Sequence, residues 1–135
     1  LLHPDLQVNT AQARRSLSRG ISMSQWVEQQ GLLAGFIAAC NTNDIELIKK
    51  TLRDVVIEPQ RSAAVPCFEQ VSEAAMRAGA FGCSLSGSGP SIFALCSDSA
   101  AHNIAMSMEQ ACRAQGIGCQ SWVSPMNAHG AQLEN

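Results

Sequence analysis

The spacing of apolar residues differs along this chain, and each spacing predicts a type of secondary structure. Phe81, Cys83 and Leu85 alternate with small or polar residues, which is the period of a half-buried strand. The run from Ile92 to Cys96 is apolar throughout, as in a strand buried on both faces. The pattern therefore predicts two strands joined as a hairpin by a loop of Gly and Ser.

Elsewhere apolar residues recur every three or four positions, which predicts helices. The predicted helices run over 11–17, 23–39, 43–52, 66–78 and 98–115, and further extended segments over 1–8, 117–123 and 128–133. Asn43 and Glu46 have the spacing of a capping box, and Gly79 follows the fourth helix as a C′ glycine would. The stretch 54–61 is predicted to be a loop. This order favours an α+β sandwich, an antiparallel sheet with helices packed on one face.

The segment Ser86–Ser91 carries the strongest chemical signal. Gly87 and Gly89 tolerate positive φ and allow a close approach of the backbone to a ligand, and the serines add hydroxyl groups. Such a loop can direct several N–H groups at an anion. It is not a Walker A loop, because no Lys-Ser/Thr follows the last Gly. It is not a dinucleotide fingerprint either, because a strand and not a helix follows it.

Composition excludes several classes of protein. The chain has 135 residues, 46% hydrophobic and 15% charged, which is typical of one globular domain. Its net charge of −2 and the lack of a basic stripe argue against nucleic acid as the main partner. No apolar run approaches membrane-spanning length. The six cysteines form no C-x-x-C and no histidine lies at ligand spacing, which indicates reduced core thiols in a cytoplasmic protein and no metal site.

At this point five stretches resemble the C-terminal half of the GHMP family of small-molecule kinases. They are His3–Arg14, Leu33–Cys40, Asp54–Arg61, Gly79–Ser91 and Gly130–Asn135. The Gly/Ser loop after a helix that ends in Gly-Ala resembles the family's third motif. Thr-x-x-Ala-Arg, which ends at Arg14, and Glu-Pro-x-Arg, which ends at Arg61, resemble the homoserine kinase branch. Gln60 departs from that pattern, where relatives often have Tyr, but it leaves Arg61 in register.

The resemblance implies an activity and a fold. The activity is ATP-dependent phosphorylation of the hydroxyl of L-homoserine to O-phospho-L-homoserine, a step of threonine biosynthesis. The fold is ferredoxin-like, with a four-stranded antiparallel sheet. The family places ATP and Mg²⁺ mainly on an N-terminal domain that is not among these residues. That domain is therefore an expected partner, a homodimer is left open, and the isolated chain is expected to be inactive, with no catalytic or metal residue of its own.

Site residues follow from the same resemblance. Arg14 and Arg61 are expected to bind the carboxylate of homoserine, since a guanidinium binds a carboxylate bidentately. Glu58 is expected to orient an arginine, and Cys83 and Cys96 to serve packing. The loop residues expected beside the phosphates and the substrate are Ser86, Gly87, Ser88 and Gly89.

Two other functions stay open. A different GHMP kinase would act on a mevalonate-type or sugar substrate, although the pair Arg14 and Arg61 favours an amino-acid carboxylate. A non-enzymatic ferredoxin-like module could instead bind an amino acid as a regulatory domain, because fold alone does not determine function.

Overall fold

A four-stranded antiparallel sheet organises the computed structural model, which describes residues 1–18 and 20–126. Its strands are β1 (Leu2–Pro4), β2 (Gly82–Leu85), β3 (Ile92–Leu95) and β4 (Cys119–Ser121). They lie in the order β2-β3-β1-β4, and every neighbouring pair is antiparallel. The predicted hairpin is therefore confirmed. The extended segment predicted for 128–133 lies outside the described residues.

Among the described residues, six α-helices connect the strands. They are α1 (Thr10–Arg15), α2 (Met23–Thr42), α3 (Ile45–Thr51), α4 (Glu58–Arg61), α5 (Phe68–Arg77) and α6 (Ala101–Ala114). A 3-10 turn over Ser62–Ala64 follows α4 directly. Helices α1 to α5 lie between β1 and β2, and α6 lies between β3 and β4, so the sheet has the connectivity of a ferredoxin-like fold. Among the described residues, no helix is long and apolar enough to cross a membrane.

The core lies between one face of the sheet and the pair α5 and α6. Leu2 and Ile92 extend from the two central strands, and Val71 and Ile104 reach them from the helices, all almost wholly buried. The two helices are strongly amphipathic, so one stripe of each faces the sheet. The predicted α+β sandwich is confirmed, although helices lie on both faces of the sheet and not on one face alone. Gly79 ends α5 with a φ of 101°, as predicted for a C′ glycine.

The other face of the sheet is partly covered by the hairpin of α2 and α3. Gly82 of β2 lies directly under Leu52, because a Cβ added at Gly82 would stand 2.5 Å from Leu52 Cδ2. The predicted capping box at Asn43 is wrong. Asn43 ends α2 in the left-handed region, with a φ of 55°, and Asp44 caps α3 by accepting a hydrogen bond from the Leu47 N–H.

A short helix occupies the predicted loop. Asp54 Oδ1 accepts hydrogen bonds of 2.8 Å from the N–H groups of both Val56 and Ile57, which turns the chain, and α4 follows with Pro59 in its first turn. The prediction of a loop is therefore wrong for 58–61, because Pro59 is compatible with the first turn of a helix. Consequently Arg61 lies on a helix with a fixed direction.

Candidate functional site

The Gly/Ser loop is closed upon itself by two backbone hydrogen bonds. The Ser86 N–H donates to the Ser91 carbonyl at 2.8 Å, and the Gly89 N–H donates to the Ser86 carbonyl at 3.2 Å. Gly87 and Gly89 have φ values of 65° and 79°, which confirms the backbone conformation that their residue type suggested. The N–H groups of Gly87 and Ser88 make no hydrogen bond to the described residues, so they are available to a ligand.

Arg61 is held against this loop. Its Nη1 donates to the Gly87 carbonyl at 3.0 Å. Its Nε is buried and has no hydrogen-bond partner among the described residues. A buried N–H without an acceptor is costly, so such a group calls for an explanation. The Nε–Nη2 edge of a guanidinium is suited to a bidentate carboxylate, and here Nη1 is already occupied on the other side.

The first residue of helix α4, Glu58, is attached to strand β2. Glu58 Oε2 accepts a short hydrogen bond from Ser84 Oγ. This pair corrects the expectation that Glu58 orients an arginine, since among the described residues its carboxylate contacts the Ser84 hydroxyl and forms no ion pair with Arg61. Glu58 therefore acts on Arg61 indirectly, because it fixes the helix on which Arg61 lies.

Helix α1 approaches the same loop from another side. Thr10 Oγ1 lies 3.4 Å from Ser88 Oγ. Arg14, one turn further along α1, is exposed and forms no ion pair or hydrogen bond with a described residue. The structure therefore brings Arg61, Gly87 and Ser88 together directly. It links Arg14 to them only through α1.

Gln60 joins the two arginine-bearing segments. Its Oε1 accepts a hydrogen bond of 2.7 Å from the Ser18 N–H, and its Nε2 donates to the Val56 carbonyl at 2.5 Å. A cavity of about 390 Å³ lies between the segments, and its walls include Asn9, Ala13 and Gln60. The residue that departs from the homoserine kinase pattern thus has a structural role beside the candidate site.

Two polar residues near the loop escaped the sequence analysis. Ser84 lies on the face of β2 away from the core, and the strand's alternation was the signal that could have identified it. His3 Nδ1 lies 2.8 Å from Ser91 Oγ, which ties β1 to the end of the loop. No sequence pattern connects His3 with Ser91, because 88 residues separate them.

Metal chemistry has little support in this part of the protein. Within residues 1–18 and 20–126, no group of three His, Cys, Asp or Glu side chains is placed to hold a metal ion. The described residues therefore do not fit a Mg²⁺ site of their own. The loop's available N–H groups and Arg61 fit anionic groups, which agrees with phosphate and carboxylate as the ligand chemistry.

Five of the six cysteines are buried or partly buried and belong to the core, whereas Cys40 on α2 is exposed and departs from the predicted core thiols. All six are free thiols. Cys67 and Cys112 are fully buried with their sulfur atoms 3.7 Å apart, and burial raises the pKa of both thiols. Burial also raises the pKa of Cys83 to about 11. Cys83 and Cys96 pack against the core cluster, in line with the packing role expected for them.

Comparison with known proteins agrees with this architecture. The family model of the C-terminal domain of GHMP kinases matches residues 36–114, which include α4, α5, the Gly/Ser loop and two of the four strands, β2 and β3. The homoserine kinase of Chlorobium phaeobacteroides is 42% identical over 136 residues. That of Xylella fastidiosa (strain M12) is 40% identical over 134 residues. Each alignment covers 98% of this chain but 42% of the relative, so the chain spans less than half of their length.

A solved structure is similar over most of the fold. The crystal structure of a homoserine kinase from Cytophaga hutchinsonii superposes with a TM-score of 0.85 and 43% sequence identity. The superposition covers 88% of this chain and 38% of that one. The family model matches more than half of the chain, which shows that the chain belongs to the GHMP kinase C-terminal domain family.

Proposed function

We propose that this chain is the C-terminal domain of a homoserine kinase, which transfers the γ-phosphoryl group of ATP to the hydroxyl of L-homoserine. Relatives of that name are about 40% identical over nearly all of the chain, which supports the substrate beyond the family. The alternatives of a mevalonate-type or sugar kinase have no comparable support. The part of the enzyme that binds the nucleotide is an N-terminal domain outside these residues.

One observation carries the proposal: the buried, unpartnered Nε of Arg61 beside the Gly/Ser loop. Homoserine carries a carboxylate that can occupy the Nε–Nη2 edge and supply the missing acceptor. The Gly87 carbonyl fixes the opposite side of the guanidinium, so the edge is oriented before the substrate arrives. Orientation of this kind lowers the entropic cost of reaction. Arg14, exposed and unpaired with any described residue, would supply a second positive charge toward the same carboxylate.

The loop would act on the phosphoryl group. When the Nε–Nη2 edge of Arg61 binds the carboxylate of homoserine, the N–H groups of Gly87 and Ser88 lie within the same site. They can then donate hydrogen bonds to phosphate oxygens. ATP would supply the phosphoryl group, Mg²⁺ would neutralise its charge, and the N-terminal domain would hold both. In phosphoryl transfer the protein contributes chiefly position and charge stabilisation, and this chain's share is to hold the substrate.

Two further expectations follow from the proposal. The isolated chain should not phosphorylate homoserine, because its described residues offer no Mg²⁺ site. The enzyme should act in the cytoplasm, where six free thiols would stay reduced.

The test is a substrate comparison with the complete reading frame that encodes this chain. The purified product is incubated with ATP, Mg²⁺ and either L-homoserine, mevalonate, galactose or D-homoserine, and ³¹P NMR identifies the product. L-homoserine should be converted at least a hundredfold more efficiently than the others. Efficient conversion of mevalonate or galactose, or no conversion with homoserine binding retained, would reject the proposal in favour of another kinase or of a regulatory module.

A further inference from the structure

Helix α1 has little apolar packing to hold it in place. It has six residues, and a helix of that length is stable only where other parts of a fold support it. None of its described side chains is buried, and Arg14 is exposed. A cavity of about 390 Å³ is lined by Ala13 of α1 and by Ala63 of the 3-10 turn, so side chains do not fill the space between them. The direction of Arg14 therefore depends on attachments at the two ends of the helix.

The start of α1 is attached to the core and to the Gly/Ser loop. Val8, just before the helix, packs against the core cluster, and Thr10 Oγ1 lies 3.4 Å from Ser88 Oγ. Thr10 and Arg14 are four residues apart, so they lie on the same face of the helix. The face of α1 that carries Arg14 is therefore turned toward the loop against which Arg61 is also held.

The end of α1 is attached to α4 through the side chain of Gln60. Gln60 Oε1 accepts a hydrogen bond of 2.7 Å from the N–H of Ser18, which lies 42 residues earlier in the chain. Gln60 Nε2 donates to the Val56 carbonyl at 2.5 Å. This second bond fixes the orientation of the amide, because a rotated amide would place its NH₂ group against the Ser18 N–H. Both polar atoms of the Gln60 side chain are thus used, and one of them holds the segment that follows α1.

We propose that Gln60 is a positioning residue for substrate binding: it holds the end of α1 against α4, so that Arg14 and Arg61 are directed at the same carboxylate. The inference rests on the proposed function, because it states how the two substrate-binding charges are brought together. Gln60 directly precedes Arg61 on α4. The same short helix therefore carries one arginine and holds the helix that carries the other.

Charge favours an amide at this position. A carboxylate in place of the Gln60 amide would lie near both arginine-bearing segments and would compete with the substrate for a guanidinium. The neutral amide bridges the two segments without such competition. Neither Arg14 nor Arg61 forms an ion pair with a described residue, so both charges are available to a ligand.

Loss of the Gln60 bridge should affect α1 and not the loop. Arg61 would keep its hydrogen bond to the Gly87 carbonyl, and Glu58 would keep its hydrogen bond from Ser84. Homoserine binding through Arg14 should consequently weaken while kcat changes little, as expected when binding is lost equally in the ground state and the transition state. A general disturbance of the fold would instead lower kcat and would not depend on Arg14.

Steady-state kinetics of the complete enzyme test this dependence. Gln60→Met keeps the length of the side chain and removes both hydrogen bonds, and it should raise the KM for L-homoserine about three- to thirtyfold, as is typical of groups in one network. In an Arg14→Ala background the same substitution should change the KM by less than about twofold, because the arginine that it positions is gone. Gln110→Met, at an exposed position of α6, is the matched control and should leave KM and kcat unchanged.

Hydrogen exchange of the complete enzyme without substrate tests the attachment itself. In Gln60→Met the peptides that cover 10–18 should exchange faster than in the unsubstituted enzyme, and those that cover α5 should be unchanged. Gln60→Asn is the second variant, in case Gln60→Met fails to fold. Its amide is one methylene too short to reach both Ser18 and Val56, so it should act in the same direction. Circular dichroism checks the fold of each variant.

Each of three results would overturn the inference: an unchanged KM in Gln60→Met, an equal rise in KM with and without Arg14, or unchanged exchange over 10–18. Conversion of L-homoserine by the unsubstituted enzyme together with any of these results would reject the role of Gln60 and leave the proposed function intact. An unsubstituted enzyme that does not convert L-homoserine would reject the proposed function, and this inference with it.

Discussion

The guanidinium of Arg61 and the carbonyl of Gly87 are joined by a hydrogen bond of 3.0 Å that leaves the Arg61 Nε buried and without an acceptor. This bond couples two motifs that are 26 residues apart in the chain. It fixes the direction of the guanidinium, and it also fixes the loop whose Gly87 and Ser88 N–H groups are available to a ligand. Substrate binding and loop geometry should consequently respond to the same substitutions.

Arg61→Ala in the complete enzyme should raise the KM for homoserine roughly ten- to more than a hundredfold. The lost charge-assisted hydrogen bond contributes about 1.5–3 kcal/mol to the binding of homoserine. The KM for ATP should stay unchanged. Arg61→Lys should restore only part of the affinity, since an ammonium cannot form the bidentate contact. Arg14→Ala should act in the same direction. Steady-state kinetics at saturating ATP measure this, with Arg77→Ala, on an exposed ion pair, as control.

Ser84→Ala should weaken homoserine binding although Ser84 is not expected to touch it. The substitution removes the hydroxyl group that donates a hydrogen bond to the carboxylate of Glu58. The start of α4 therefore loses its attachment to β2. A stability loss of about 1–2 kcal/mol is expected for the unpaired carboxylate. Ser84→Thr retains the hydroxyl and should restore the KM. Equal kinetics for Ser84→Ala and the unsubstituted enzyme would show that α4 is held in place without this bond.

Gly87→Val should lower kcat, because a φ of 65° is strained for a β-branched residue by about 1–2 kcal/mol. Space is not the limit, since nothing lies within 4 Å of a Cβ at this position. Gly87→Asn is therefore the informative control, as Asn tolerates the left-handed region and should retain most of kcat. If Val and Asn reduce kcat equally, the conformation of the loop is not what the reaction requires.

Gly82→Ala should destabilise the chain by about 1–3 kcal/mol through overpacking against Leu52. Leu52→Ala removes Cδ2 and Cγ, the two Leu52 atoms nearest to the added Cβ. In that background Gly82→Ala should lower the free energy of unfolding by less. Urea unfolding of both single variants and the double variant measures the coupling between them. Additive effects would contradict the packing of α3 on the sheet.

Stability should fall as pH rises above about 9. The Cys83 thiol has a pKa raised to about 11 by burial, so between pH 9 and 11 the folded chain holds a proton that the unfolded chain releases. The loss from Cys83 over that interval should be about 2 kcal/mol, since one pKa unit corresponds to about 1.4 kcal/mol. The chain has no Tyr to titrate in the same range. Urea unfolding at several pH values measures the free energy of unfolding. Its decrease with rising pH should be smaller for Cys83→Ala than for the unsubstituted chain, and unchanged for Cys40→Ala.

The sequence alone determined the hairpin, the two amphipathic helices and the family. Each depends on local information: a period of two around Cys83, a helical period around Val71 and Ile104, and glycines whose lack of a Cβ permits positive φ. It identified Arg61 and the Gly/Ser loop by resemblance, and it predicted the glycine conformations of that loop. It also found the apolar spacing of α2, although a spacing does not tell whether the stripe is covered.

The tertiary structure decided what depends on distant residues. A Pro can stand in the first turn of a helix as readily as it can end one. At Pro59 the chain forms α4, because the side chain of Asp54 turns the chain before the helix and Glu58 is hydrogen-bonded to Ser84. Asn43 and Asp44 are both good capping residues, and the left-handed turn at the end of α2 assigns the cap of α3 to Asp44. The contact of Arg61 with Gly87 arises because β2 places the loop beside α4. The exposure of Trp26 and Ile37 follows from α2 packing on α3 through its other side, which no periodicity in the sequence encodes.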